Sequence, residues 1–189
     1  MTAVIYAISY QDTGSIVSYC QLAQRDLSPA GAVQVLLDEL VADGELKLSQ
    51  ILPSKPPTKI TKTNLRVDEV DVEAAKLADF VRAPYKFVLD LSDDKAKPGD
   101  GKKKTLGTPT SPISYELLAA QDVFRVTFTL DVAANTKFFA IIDGNELPVT
   151  VNVPTKTVEF PFNTSANTMH QVFFASRGVK PFFGLKKAT

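Results

Sequence analysis

The chain has 189 residues, 44% of them hydrophobic, which suffices for one large domain or two small ones with real cores. Lys and Arg together number 21 and Asp and Glu together 21, so no net positive field draws the chain to nucleic acid or to an anionic membrane surface. A single cysteine, Cys20, excludes an intramolecular disulfide framework, and a single histidine, His170, leaves little for acid–base or zinc chemistry.

The opening run Met1 to Tyr10 has no basic n-region and too short an apolar stretch for a signal peptide. No segment approaches the roughly 18 apolar residues that a membrane span requires. The expectation is a chain made in a reducing cytoplasm and kept there, or assembled there into something larger. Val4–Tyr10 and Ser15–Leu22 are both β-rich, and Gln11 to Gly14 between them predicts a hairpin turn. Ala32–Ala42 carries Val33, Leu36, Leu37, Leu40 and Val41 at helical spacing, with Ser28-Pro29 as its start and Asp43-Gly44 as its end. A short strand over Glu45–Leu52 follows, and Pro53-Ser-Lys-Pro-Pro57 gives a stiff, extended exit.

Thr58–Val67 reads as extended and polar. Asp68–Arg82 predicts a second helix, with Val70, Ala74, Leu77, Ala78 and Val81 on one stripe, acids at its front end, and Pro84 as its stop. Tyr85–Leu91 predicts a strand. These elements make residues 1–91 an α+β N-terminal domain. Residues 92–112, with Asp93-Asp94, Lys102-Lys103-Lys104 and Gly-Thr-Pro-Thr-Ser-Pro, have nothing to bury and predict a flexible loop or linker.

Residues 113–189 are organised around Asp122–Asp131. There Phe124, Val126, Phe128 and Leu130 fall on one face and Arg125, Thr127 and Thr129 on the other. Further strands are predicted over Ile113–Leu118, Thr136–Ile142, Leu147–Val153, Thr155–Phe162, Met169–Ser176 and Val179–Leu185. Asp143-Gly-Asn-Glu146 turns the chain, and Pro148 confines its strand to an edge or an early ladder position. Short strands at this spacing predict an all-β immunoglobulin-like sandwich, without the disulfide and tryptophan of antibody domains.

Three runs, Lys137–Glu146, Thr157–Phe162 and His170–Ala175, resemble bacterial and phage immunoglobulin-like modules. In those modules a strand ends in Asp-Gly and a later strand opens with a histidine before alternating apolar residues. The hairpin with Asp12-Thr-Gly-Ser-Ile-Val17, a following helix and a Lys-Pro-Pro exit resembles the starts of small tailed-phage virion proteins. The resemblance implies a non-enzymatic structural component of a bacteriophage particle: a capsid decoration, head–tail, tail or fibre protein. It would be located in the virion, with other virion proteins and copies of itself as partners. The alternative is a receptor- or glycan-binding module on a virion or cell surface, weakened by the absence of Trp.

The residues carry little that argues for chemistry. His170, at the entry to a strand, reads as a histidine satisfied by a backbone carbonyl. Asp90, Asp93 and Asp94 lack calcium-loop spacing, and Gly101-Lys-Lys-Lys-Thr105 fails the phosphate-loop pattern. No catalytic residue, metal or cofactor is expected, and neither nucleic acid nor membrane is expected as a partner. Surface is what remains. Phe138-Phe139, Phe173-Phe174 and Phe182-Phe183 are adjacent pairs, and strand neighbours point to opposite faces, so one of each pair leaves the sandwich core. Phe139, Phe173 and Phe183 are the candidates to meet a partner, unless the N-terminal half or the tail covers that face. Lys102, Lys103 and Lys104 read as a solvated loop or a contact to an acidic neighbour in an assembly.

Overall fold

The computed structural model describes residues 4–22, 38, 44–48, 51–91 and 103–189. Apart from Asp38, the helix expected over 32–42 lies outside the described residues, as do Lys102 and residues 92–101 of the expected linker. The structure is mostly β, built from antiparallel sheets, in an arrangement compatible with a β-sandwich.

The N-terminal hairpin forms as the turn residues predict. Strands β1 (Val4–Tyr10) and β2 (Ile16–Leu22) pair antiparallel, with a shift in register after Ile8. The turn needs Gly14, whose φ is +69° and where a Cβ would sit 3.0 Å from the Leu89 carbonyl oxygen. Strand β3 is only Glu45–Lys47, paired with β4 (Lys59–Thr61).

The largest departure from expectation follows. Leu65–Asp71, whose second half was to open a helix, is strand β5 and lies against β1 with Ile5 opposite Val70 and Tyr10 opposite Leu65. The β-branched residues Val67 and Val70 gain a fully paired, buried site there, which outweighs the helical periodicity of the stretch. The buried carboxylate of Asp68 accepts two bonds from Arg66, Nε to Oδ2 and Nη2 to Oδ1, both 2.7 Å. Helix α1 therefore starts only at Ala74 and ends at Arg82, and Phe80 is its one buried residue. Tyr85–Leu91 forms a short 3₁₀ turn over Pro84–Lys86 and two isolated bridges rather than a strand. Residues 103–112 are not a free linker. Lys104–Thr105 is strand β6, parallel to β5, and Leu106 bridges to Leu89. The first sheet thus runs β2-β1-β5-β6.

Beyond it come β7 (Ser114–Leu118), β8 (Val123–Val132), β9 (Lys137–Ile142), β10 (Asn145–Thr150), β11 (Thr155–Pro161), β12 (Met169–Ser176) and β13 (Val179–Lys187). They form two antiparallel sheets, β11-β8-β7 and β10-β9-β12-β13, with Pro148 on an edge strand. The β9–β10 connection is the two-residue turn Asp143-Gly144, both residues at positive φ (49° and 83°), as a type I′ hairpin turn requires.

Alternation along the strands stacks these sheets in layers. Phe124, Val126 and Phe128 of β8, Phe138, Ala140 and Ile142 of β9, and Val172 and Phe174 of β12 share the core between the two C-terminal sheets. The opposite faces of β9 and β12 give Ile141, Phe173 and Ala175 to a second core, together with Tyr6, Ile8 and Tyr10 of β1 and Leu65 and Val67 of β5. The far face of the first sheet gives Ala7, Ile16 and Val70 to a third core, closed by Phe80, Leu89 and Leu91. Strand β12 is the centre of the molecule, with every residue from His170 to Ser176 buried.

Candidate functional site

The three phenylalanines do point away from the sandwich core, and the N-terminal strands cover them. Phe173 exposes none of its surface and sits in the second core, while Phe139 and Phe183 are half-buried against it. Phe139 packs on Tyr10, with ring centroids 4.7 Å apart, and Phe183 meets Phe173 edge-on at 6.5 Å and Tyr85 at 6.1 Å. The face they were expected to offer a partner is occupied within the chain. Lys103 is exposed, and its Nζ lies 3.3 Å from Glu69 Oε1, so the acidic neighbour it meets is its own. Lys104 is 5% exposed, opposite Val70 in the β5–β6 ladder, and is not a solvated loop residue.

The two ends of the sandwich differ. At the hairpin end, the turn residue Asp143 and the first buried residue of β12, His170, converge through the β9–β12 pairing. The imidazole Nδ1 lies 2.7 Å from Asp143 Oδ2 and Nε2 lies 2.6 Å from Thr164 Oγ1. A proton on Nδ1, donated to the carboxylate, leaves Nε2 to accept from the threonine hydroxyl. Asp143 Oδ2 also takes the Lys55 ammonium at 2.8 Å, and Oδ1 accepts from the Gln171 backbone N–H at 3.0 Å. Burial alone pushes the Asp143 carboxyl up, but hydrogen bonds from Lys55, His170 and Gln171 outweigh it and hold the group below the ordinary carboxylate value. Gln171 completes the network: its Nε2 donates to Thr58 Oγ1 at 2.9 Å, and its Oε1 accepts from the Ile51 N–H at 2.7 Å.

The histidine is thus satisfied by a carboxylate and a hydroxyl, not by the expected backbone carbonyl. Hydroxyl, imidazole and carboxylate stand in the order of a catalytic triad. Asp143 through Lys55, and Gln171 through Thr58 and the Ile51 N–H, also have a structural effect, tying the segment 51–58 across the end of the sandwich. The Asp-Gly turn and the strand-opening histidine were each readable, but nothing local in the sequence pairs Asp143 with a histidine 27 positions later.

The opposite, loop end is fixed by register. Thr150 pairs with Lys137, Thr155 with Val132, Ser176 with Phe138 and with Val179, and Ser114 with Thr127. The start of β7, the β8–β9 and β10–β11 connections and the β12–β13 turn therefore come together at one end. Among the described residues the most exposed large apolar side chains lie on or next to these segments: Leu130 at 75%, Val153 at 66% and Ile113 at 64%. Leu130 continues the inward parity of Phe124, Val126 and Phe128, but it is exposed, in the stretch where the β8–β11 register shifts between the Thr127–Thr157 and Val132–Thr155 pairs; Val132 beyond it packs on the core again. A cleft of about 440 Å³ opens at this end too, between Asp12 of the β1–β2 turn and Asn135, Thr136, Lys137 and Arg177.

Among the described residues no cluster of three or more His, Cys, Asp or Glu could hold a metal ion, and no helix is long and apolar enough to cross a membrane. Compared with protein-family models, with curated proteins and with solved structures, the chain matches none.

Proposed function

We propose that this chain is a non-enzymatic structural component of a bacteriophage particle, a capsid-decoration, head–tail, tail or fibre protein that works by protein–protein assembly. The finer fold reading belongs to the same proposal: residues 1–91 as an α+β domain and residues 113–189 as an immunoglobulin-like sandwich. Three strands facing four, with the chain changing sheets from β8 to β9, from β10 to β11 and from β11 to β12, support the immunoglobulin-like reading. The observation that carries the assembly reading is the loop end, where Ile113, Leu130 and Val153 leave apolar side chains in water at 64–75% exposure. Their burial against copies of the chain or against other virion proteins would drive association.

Absolute mass by light scattering behind a size-exclusion column, over a range of concentrations, tests this. A discrete closed oligomer that reverts to monomer in Leu130→Glu is the expected result. A wild-type chain that stays monomeric at every concentration, together with particles from the producing cells that an antibody to the chain fails to label, would overturn it.

A second reading, a receptor- or glycan-binding module on a virion or cell surface, is favoured by the polar cleft at the same end.

A further inference from the structure

We infer that the cleft at the loop end is a binding site for an acidic saccharide, a sugar that carries one carboxylate beside several hydroxyls. The inference gives the second reading a site and a ligand class, and it does not depend on self-association. At about 440 Å³ the cleft is in the size range of small-molecule sites and can admit a sugar residue.

Its walls are held in place before any ligand arrives. The turn bearing Asp12 is pinned by the Gln11 N–H on the Asn64 carbonyl at 2.7 Å and the Gly14 N–H on the Tyr10 carbonyl at 2.9 Å. On the other side, the Asn135 N–H donates to the Val151 carbonyl at 2.6 Å and the Val151 N–H to the Thr136 carbonyl at 3.0 Å. Asn135 takes the left-handed conformation (φ 65°) that places this turn. Arg177 is anchored through Nη2 on the Leu91 carbonyl at 2.6 Å. Rigid walls lower the ordering cost of binding.

The chemistry of the lining selects the ligand. Lys137 and Arg177 supply the positive charge that a carboxylate needs, and the planar guanidinium matches its geometry. Lys137 is held only loosely, 3.8 Å from Asp12 with both groups well exposed, a pairing worth little and readily opened. Sugar hydroxyls donate as well as accept. Asp12 offers acceptors only, and Asn135 offers both roles. The Thr136 hydroxyl gives its proton to the Ala133 carbonyl at 2.7 Å and keeps its lone pairs. Acetate or a bare phosphate lacks the ring of several hydroxyls that would engage Asp12, Asn135 and Thr136 together, so the polyol beside the carboxylate is what the lining rewards. Among the described residues the lining holds no aromatic ring, so the sugar is gripped by its polar edge and the affinity is on the order of millimolar.

Titration of the isotope-labelled full chain with D-glucuronate and with N-acetylneuraminate, followed by amide chemical shifts, tests the site. Saturable shifts should centre on residues 11–14, 135–137 and 177–178, while glucose and acetate should give none. Lys137→Gln and Arg177→Lys should each weaken binding about tenfold, the scale of one charge-assisted hydrogen bond. Lys137 is surface-exposed, so that variant reads binding without disturbing the fold. The inference is overturned if neither acid saturates, if glucose binds as well as the acids, or if acetate or a glutamate peptide competes as well as the sugars. It is equally overturned if Lys137→Gln binds like the wild type. Because the readout is ligand binding and not mass, failure here leaves the assembly reading standing, and a monomeric chain leaves this one standing.

Discussion

Phe173 and Phe174 are consecutive in β12 yet bury in different cores, so truncating Phe173 measures how firmly the N-terminal strands are seated on the sandwich. The transfer term for a fully buried phenylalanine is about 1.5–3 kcal/mol, and the cavity left behind brings Phe→Ala to about 3–5 kcal/mol. Phe173 qualifies for the upper half of that range. It exposes none of its surface, and Tyr6, Ile8, Ile141 and Ala175 of the same core rest on backbones paired in two separate sheets, which limits collapse into the void. Were the outer face of β12 open to water, the same change would fall within about 0.5 kcal/mol, the range of an ordinary surface substitution. Phe139→Ala, half-buried beside Tyr10, should cost roughly 1–3 kcal/mol, and Leu130→Ala, at 75% exposure, no more than about 0.5 kcal/mol. Urea unfolding followed by circular dichroism and by tyrosine fluorescence, which no Trp obscures, should give one coincident transition, because the second core spans both halves. A Phe173→Ala loss below about 1 kcal/mol, or separate transitions for the two halves, would refute the reasoning.

Three further outcomes are expected. Asp143 has a lowered carboxyl pKa, so its contribution to stability is fully present above the ordinary value of 3.8 and is lost as pH falls below it. Asp143→Asn, which tolerates the positive φ, should cost about 1–3 kcal/mol at pH 7 and flatten this acid limb in melting scans; parallel scans for the two proteins would contradict it. Gly144→Ala forces a side chain onto φ +83° with its Cβ 3.3 Å from Pro56, and should destabilise by about 1–2 kcal/mol, seen as a lower Tm. Burial raises the phenol pKa of Tyr10, with Glu146 adding to it, and burial raises that of Tyr115, so both stay protonated in the folded chain. The stability they contribute is present below the ordinary value of 10.0 and is lost as pH rises above it. Absorbance titration should show their ionisation coinciding with alkaline unfolding, and independent ionisation of all five tyrosines near pH 10 would count against these burials.

What the sequence made legible is what period and turn chemistry encode. The Asp143-Gly144 turn, the edge position of Pro148 and the opposed faces of each Phe-Phe pair follow from local rules and stand in the structure. What it concealed depends on partners distant in the chain. Leu65–Asp71 carries Asp68, Glu69 and Asp71, which look like the front of a helix until β1 offers a ladder and Arg66 neutralises Asp68. Lys104 becomes a buried strand residue only because β5 lies beside it, and Asp143 finds Lys55, His170 and Gln171 through two separate crossings of the fold. The outward Phe173 was readable from alternation, and cover by the N-terminal half was one of the alternatives it allowed; which strands supply it, more than 100 positions earlier, was not readable.

The same long-range packing narrows where a partner can act. The first sheet takes the outer face of β9 and β12, and the segment 51–58 is bonded across the hairpin end through Lys55, Thr58 and Gln171. The loop end receives no such cover from the described residues, and it holds both the most exposed apolar side chains and the cleft that carries Lys137 and Arg177. Apolar burial rewards a macromolecular surface and the polar cleft rewards a small anionic one, so a single partner that presents a glycan beside an apolar patch would satisfy both. Leu130→Glu and Lys137→Gln separate the two contributions: the first should abolish docking while leaving sugar titration intact, and the second should weaken sugar binding about tenfold while leaving apolar docking intact.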